Sequence, residues 1–193
     1  MGRPSTDPVV AFESQAAWEQ WLADHHATVN GVWVKMAKKA SGIPTVTHAE
    51  ALEVALCYGW IDGQRNRFDE QWFIQRFTPR RSRSKWSKIN RAKAEQLIRD
   101  GRMQPAGLRE IERARADGRW DAAYDAPSVA TVPDDLQRAL DENPAAAAFF
   151  ATLNRQNRLA IIYQVQDAKR PETRARRMER FIAMLNEGTK PIP

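Results

Sequence analysis

The sequence contains only one cysteine and three histidines, and it has no long apolar run. The single cysteine, Cys57, excludes an intramolecular disulfide and a metal site built from cysteines. His25 and His26 are adjacent and point in different directions on a helix, while His48 lies in another predicted helix. No histidine-based metal site is therefore predicted. No run approaches the roughly 18 apolar residues of a membrane-spanning helix, so no membrane span is expected.

Sequence motifs for cofactor and nucleotide chemistry are missing as well. The chain has no GxGxxG, no GxxxxGK[ST] and no GxSxG, so neither a cofactor nor acyl-transfer or hydride-transfer chemistry is predicted. The N-terminus, "MGRPSTDPVV", lacks the apolar core of a signal peptide, and a cytoplasmic location is expected. Gly2 and Thr6 match the loose pattern for myristoylation, but a flexible, proline-containing start is the favoured interpretation.

Positive charge is concentrated in two segments of a chain whose net charge is +6. Residues 76–93 hold eight basic residues and no acidic one, and residues 169–180 hold six basic and two acidic residues. The remainder carries 16 basic and 22 acidic residues, which gives it a charge of −6. This distribution favours an anionic partner, such as a phosphorylated or carboxylated molecule or nucleic acid.

The first part of the chain has the pattern of a small sheet packed with helices. Ser14 can cap a first helix, and "GVWVKMAKK" alternates like a strand. "THAE" is a capping box that opens a helix ending at Gly59. Residues 60–68 and 72–78 predict an antiparallel hairpin. A two-residue loop at Asp69 and Glu70 would set Arg65 opposite Ile74.

Helical patterns dominate after Ser87, with helix starts at Pro105, Asn143-Pro144 and Pro171. The predicted fold class is α+β, with a small antiparallel sheet of about three strands, followed by a helical C-terminal part. The predicted organisation is a flexible N-terminus at 1–11, an α+β part at 12–119, a linker at 120–132, helices at 133–188 and a tail at 189–193.

The first hairpin strand sorts its polar residues onto two faces. Regular alternation places Trp60 and Asp62 on one face and Arg65 and Arg67 on the other. Asp62 is the one candidate for catalysis, as a general base in a cleft. The favoured alternative is a structural bond to an arginine of the C-terminal helices. Arg65 and Arg67, with Arg76 on the second strand, could form a basic face that binds carboxylate or phosphate, or a solvated surface.

The segment "RFTPRRSRSKWSKINRAK" carries the strongest electrostatic signal. A helix begins within it, and its free N–H groups, together with serines and lysines, could bind an anion. Trp86 could stack on a base or another planar ring. No further nucleic-acid signature accompanies it, and a solvated loop paired with acidic helices is the alternative.

The second basic segment, "AKRPETRARRMERF", combines arginines with a helix that starts at a proline. Part of its charge is expected to flank a packed apolar stripe. If this helix faces the hairpin, its arginines could complete one binding site. The predicted ligand-binding residues are Trp60, Asp62, Arg65, Arg67, Arg76, Arg80, Arg81, Lys85, Trp86, Lys88, Lys169, Arg174 and Arg177.

Three stretches, "GWIDGQ", "TPRRSRSKWSKIN" and "KRPETRARR", resemble the YdeI/OmpD-associated family of bacteriocin-protection proteins. The resemblance extends over most of the chain, from Phe12 to Gly188. It implies a small bacterial protein linked to tolerance of antimicrobial peptides or envelope stress. It implies no established reaction, cofactor or catalytic residue.

The sequence thus leads to three hypotheses about function. The first is a binding protein that holds an anionic or aromatic small molecule or peptide in a basic cleft. The second is a nucleic-acid-associated protein that uses the same basic segments and binds more weakly as salt increases. The third is an enzyme that uses Asp62 together with arginines that stabilise an anion.

Overall fold

A computed structural model describes residues 6–125 and 130–192. The chain divides into two compact units, Met1–Tyr124 (unit 1) and Asp125–Pro193 (unit 2). Their boundary falls within the segment 120–132, which the sequence predicts as a linker. The linker residues 126–129 and the N-terminal residues 1–5, which include Gly2 of the myristoylation pattern, lie outside the described residues.

The described part of unit 1 combines a four-stranded sheet with four α-helices, which confirms the predicted α+β class. The strands are β1 (Val9–Ala11), β2 (Val32–Ala37), β3 (Trp60–Arg67) and β4 (Trp72–Pro79). The helices are α1 (Gln15–His25), α2 (His48–Cys57), α3 (Lys88–Arg99) and α4 (Pro105–Ala116).

The sheet has the strand order β1-β2-β4-β3 and differs from the prediction in one strand. β2, β4 and β3 are antiparallel neighbours, but β1 adds a parallel edge strand beside β2. β1 lies in the segment that was predicted to be flexible. Its three residues are too few to show the alternation by which a strand is recognised in sequence.

The hairpin of β3 and β4 contains a β-bulge, which corrects the predicted register. Asp62 pairs with Phe77, but Arg65 pairs with Gln75 instead of Ile74, so β3 has one extra residue between these pairs. Phe77 and Gln75 are two residues apart and share a face of the sheet. Arg65 therefore lies on the same face as Asp62, whereas regular alternation predicted opposite faces.

The hairpin loop is also longer than predicted, since β3 ends at Arg67 and β4 begins at Trp72. A side-chain oxygen of Asp69 accepts hydrogen bonds from the backbone N–H groups of Gln71 and Trp72, each at 2.8 Å. The Lys38 ammonium donates to the carbonyl oxygens of Asp69 and Glu70. These side-chain bonds stabilise a four-residue connection in place of a tight two-residue turn.

The helices α1 and α2 begin where the sequence predicts. Ser14 caps α1, and the capping box of Thr47 and Glu50 opens α2. Trp18 of α1 is fully buried, and its indole N–H donates to the carbonyl oxygen of Ala51 at 3.0 Å. The two helices are thereby joined in the main core of unit 1.

Helix α2 ends at Cys57, and Gly59, two residues later, has a φ of +74°, a conformation that favours glycine. The predicted packing of Cys57 is confirmed, because its side chain is 1% exposed and burial raises the pKa of the thiol to about 11. Helix α4 approaches α2 closely at Gly107, where a Cβ atom would lie 2.8 Å from the carbonyl oxygen of Leu56. Trp120 belongs to this core as well, although it lies in the predicted linker.

The described part of unit 2 is helical, as the sequence predicts for the C-terminal part. Its helices are α5 (Asp134–Asp141), α6 (Pro144–Thr152), α7 (Arg155–Gln166) and α8 (Pro171–Asn186). They enclose a separate apolar core that includes Leu136, Phe150, Ile161 and Phe181. Within the described residues, no helix has both the length and the apolar character needed to cross a membrane.

Candidate functional site

Arg80 follows β4 directly and is almost completely buried, with 5% of its surface exposed. Its backbone N–H donates to the carbonyl oxygen of Gly59 at 2.9 Å, which fixes the start of the loop that leads to α3. Its guanidinium lies over the ring of Trp86, with 3.6 Å between its central carbon and the ring centroid. The pair of side chains therefore forms a stacked cation–π contact inside unit 1.

The hydrogen bonds of Arg80 satisfy only one side of its guanidinium. Nη1 donates to the carbonyl oxygen of Lys85 at 3.1 Å. Nε and Nη2 are buried and have no acceptor among the described residues, and the same holds for the indole Nε1 of Trp86. Three buried N–H donors thus lack a partner in this part of the chain, which is uncommon in folded proteins.

Burial removes the guanidinium of Arg80 from water, which disfavours its charged form and lowers its pKa to about 10. Glu110 opposes this shift, but its carboxylate accepts its described hydrogen bond from Arg113, at 2.5 Å, and none from Arg80. Arg80 is therefore a cation at neutral pH that is buried without a directly bound carboxylate. Such a charge favours the binding of an anion.

Residues 80–88, which we call the basic loop, have a backbone held by side-chain hydrogen bonds. The hydroxyl oxygen of Ser84 accepts from the N–H of Arg81 at 2.9 Å, and Arg119 donates to the carbonyl oxygen of Ser84 at 2.8 Å. Arg81 and Arg83 are exposed, and their side chains make no hydrogen bond or ion pair within residues 6–125. The loop therefore presents two unpaired cations on a fixed backbone.

Two predictions about this loop need correction. The ring of Trp86 is 2% exposed and is covered by Arg80 and Trp120, so it cannot stack on a nucleic-acid base. The start of α3 is also less available to an anion than predicted. The N–H of Asn90 donates to the Ser87 hydroxyl, and the N–H of Lys88 donates to the carbonyl oxygen of Tyr124.

Other cations of the first basic segment are paired with acidic residues. Arg76 forms an ion pair with Asp7, with 2.6 Å between Nη2 and Oδ2. In α3, Lys93 forms an ion pair with Glu53 at 3.2 Å. These contacts agree with the alternative in which part of the segment has a structural role.

The predicted hairpin residues are dispersed. Trp60 is fully buried, and its indole N–H donates to the carbonyl oxygen of His26 at 3.2 Å, so it does not line an open cleft. The guanidinium of Arg65 lies over the ring of Phe73 at 3.9 Å. Arg67 is exposed. Of these three residues, Arg67 alone keeps an exposed side chain without a described contact.

Asp62 has a partner that the sequence did not indicate. One of its carboxylate oxygens lies 3.0 Å from Nε2 of His48, the first residue of α2. The side chains of His48 and Asp62 are 39% and 27% exposed, so the pair is open to solvent. The sequence predicts a structural partner for Asp62 in the C-terminal helices, whereas this bond joins it to His48 within unit 1. The two residues are 14 positions apart, and no motif links them.

In unit 2, the predicted binding residues Arg174 and Arg177 join helices. Nε and Nη2 of Arg174 bind the two carboxylate oxygens of Asp135 at 2.5 and 2.8 Å, and Nη1 donates to the carbonyl oxygen of Val165 at 2.6 Å. Arg177 donates to the carbonyl oxygen of Gln164. Both arginines thus bind the C-terminal turn of α7, where cations are favourable. Lys169 is exposed.

Two protein families match this chain in separate ranges. Residues 10–110 match a family described as a domain of unknown function, DUF8412, and this match covers more than half of the 193 residues. The chain belongs to the DUF8412 family. Residues 129–188 match the family described as bacteriocin-protection, YdeI or OmpD-associated. No curated protein and no solved structure gives a significant match.

The second match confirms the resemblance to the YdeI/OmpD-associated family, in residues 129–188. "KRPETRARR" lies in this range, whereas "GWIDGQ" and "TPRRSRSKWSKIN" lie in the DUF8412 range. The basic loop and the pair of His48 and Asp62 therefore belong to the DUF8412 part. The arginine network of α8 belongs to the YdeI/OmpD-associated part.

Proposed function

We propose that this DUF8412 protein is a binding protein that captures an anionic ligand at the basic loop of unit 1. The observation that carries the proposal is the incomplete pairing of three arginines in this loop. Arg80 is buried with two donor nitrogens that lack an acceptor, and Arg81 and Arg83 are exposed and unpaired within residues 6–125. The loop backbone is held in place, so a ligand would meet a preorganised cationic surface.

The biological role that we propose is tolerance of bacteriocins or other antimicrobial compounds, in the cytoplasm, through sequestration of the ligand. The match of residues 129–188 to the bacteriocin-protection, YdeI or OmpD-associated family supports this role. A strain without the protein should regain tolerance when the wild-type gene is restored. It should not regain tolerance when the restored protein carries Arg81→Ala and Arg83→Ala.

Binding can be tested with a fluorescent acidic peptide of alternating Asp and Trp residues, followed by fluorescence anisotropy. The double variant Arg81→Ala/Arg83→Ala should weaken binding about three- to tenfold and reduce its salt dependence, because two exposed charges are lost. Arg109→Ala/Arg155→Ala removes two other exposed arginines and serves as the control. Equal binding by the two double variants would contradict the proposal. Salt-sensitive binding of single-stranded DNA, with none of the peptide, would favour the nucleic-acid hypothesis.

The pair of His48 and Asp62 supports a second candidate function, that of an enzyme. A carboxylate 3.0 Å from Nε2 can orient a histidine that acts as a general base, and both side chains are accessible. The test is hydrolysis of a panel of p-nitrophenyl esters by the wild type, Asp62→Asn and His48→Gln. Turnover that persists unchanged in both variants would exclude this role.

A further inference from the structure

The arrangement of unpaired donors around Arg80 defines a site more specific than a basic surface. Nε and Nη2 of an arginine lie along one edge of the guanidinium, and their N–H bonds are nearly parallel. This edge is the part of Arg80 that has no acceptor among the described residues. A parallel pair of donors matches two oxygens of one anion.

Arg174 shows in the same chain how such an edge is completed. Its Nη1 donates to a backbone carbonyl, and its Nε and Nη2 each bind one carboxylate oxygen of Asp135. Arg80 repeats the first half of this pattern, because its Nη1 donates to the carbonyl oxygen of Lys85. The second half, a carboxylate on Nε and Nη2, is supplied by no described residue.

The acidic residue with the strongest effect on Arg80 does not supply this carboxylate. Among the acidic groups, Glu110 has the largest effect on the pKa of Arg80, but its carboxylate is hydrogen-bonded to Arg113. The indole N–H of Trp86 adds a third donor, buried in the residue on which the guanidinium is stacked. Two stacked side chains therefore hold one cation and three unpaired donor nitrogens, and an oxyanion complements them.

We propose that the Nε/Nη2 edge of Arg80, with Nε1 of Trp86, is a binding site for two oxygens of a small oxyanion, a carboxylate or a phosphate. The proposal rests on the proposed function and adds the ligand's chemical group. The donors are buried, so the proposal includes a local displacement of the exposed residues 81–83, while the bonds of Arg80 to Gly59 and Lys85 stay in place. Stacking on Trp86 holds the guanidinium plane and so fixes the direction of the two donors.

The test is titration with inorganic phosphate and, separately, with acetate, at constant ionic strength maintained with chloride. The seven tryptophans all lie in unit 1, so tryptophan fluorescence and the thermal midpoint of that signal report on this unit. We expect saturable binding of at least one of the two anions. Which one binds more tightly identifies the ligand group as phosphate or carboxylate.

Three variants distinguish binding to two parallel donors from attraction by positive charge alone. Arg80→Lys keeps the charge but loses the parallel donors, and it should weaken binding about tenfold or more. Trp86→Phe should weaken it to a smaller extent, since only one donor is removed. Arg109→Met removes an exposed charge outside the basic loop and should change the affinity less than twofold, about the limit for screened surface charges.

Two results would overturn the proposal. One is a wild-type protein that shows no saturable response to either anion up to about 100 mM, a concentration far above that of a specific site. The other is equal binding by the wild type and Arg80→Lys. If instead Arg80→Lys loses phosphate binding while the acidic peptide binds independently of Arg81 and Arg83, the oxyanion site stands and peptide capture by the loop is wrong.

Discussion

Arg80 in unit 1 and Arg174 in unit 2 make the same backbone hydrogen bond but differ in the pairing of their other guanidinium nitrogens. Each donates from Nη1 to a backbone carbonyl, but only Arg174 has a carboxylate on Nε and Nη2. The arginine with fewer partners is also the more buried one, since 27% of the Arg174 side chain is exposed. In structural ion pairs, more deeply buried charges normally have more partners. The reverse order at Arg80 is the observation on which the proposed binding role rests.

The energetic consequences should differ as well. The Asp135 carboxylate raises the pKa of Arg174, whereas burial lowers the pKa of Arg80. The charged form of Arg174 is thus stabilised by folding, and the charged form of Arg80 is destabilised by it. A fold that retains a destabilised cation gains most from a ligand that neutralises it.

The largest effect is expected for Arg174→Met in unit 2. This change removes three hydrogen bonds and leaves the Asp135 carboxylate without its partner, so we expect the free energy of unfolding to fall by about 2–3 kcal/mol. Urea unfolding followed by far-UV circular dichroism measures the loss of helix. Arg176→Met changes an exposed arginine of the same helix and should have little effect. A similar loss in both variants would mean that the hydrogen bonds of Arg174 are not the cause of the loss.

The pH dependence of stability tests the same comparison, and its expected effect is smaller than that of Arg174→Met. The hydrogen bonds from Arg174 lower the pKa of Asp135 below its ordinary value of 3.8. The pair therefore stabilises unit 2 fully above that value, and the stabilisation is lost as the pH falls through the lowered pKa. We expect the free energy of unfolding of unit 2 to decrease through this pair as the pH falls below 3.8. Asp135→Asn should remove this part of the pH dependence, and an unchanged acid profile in that variant would contradict the assignment.

Much of the fold follows from local sequence patterns. Helix starts at Ser14, Thr47 and Pro105 depend on residues within one turn, and the structure has them where the sequence predicts them. The bulge in β3 and the edge strand β1 depend on pairing with distant residues. A single sequence does not show such pairing, so the predicted register was wrong by one residue beyond the bulge.

The candidate site was predictable only in part. The charge of residues 76–93 is visible in the sequence, but which cations pair with acidic residues depends on contacts such as Lys93 with Glu53, 40 positions apart. Trp86 was interpreted as a residue that could stack on a base or another planar ring. It is buried because Trp120, from the predicted linker, packs against it. The bond between His48 and Asp62 likewise depends on how α2 packs beside β3.

The smallest effect, but with the opposite sign, is expected for Arg80→Met in the absence of an added anion. Methionine keeps the contact with the Trp86 ring and removes a buried charge whose Nε and Nη2 lack acceptors. We therefore expect unit 1 to become more stable by about 1 kcal/mol, since replacing a buried charge by an apolar side chain is often stabilising. Urea unfolding followed by tryptophan fluorescence measures this, with Arg81→Met as the surface control. A loss of stability comparable to that of Arg174→Met would show that the edge of Arg80 is already satisfied within the protein, and the contrast between the two arginines would disappear.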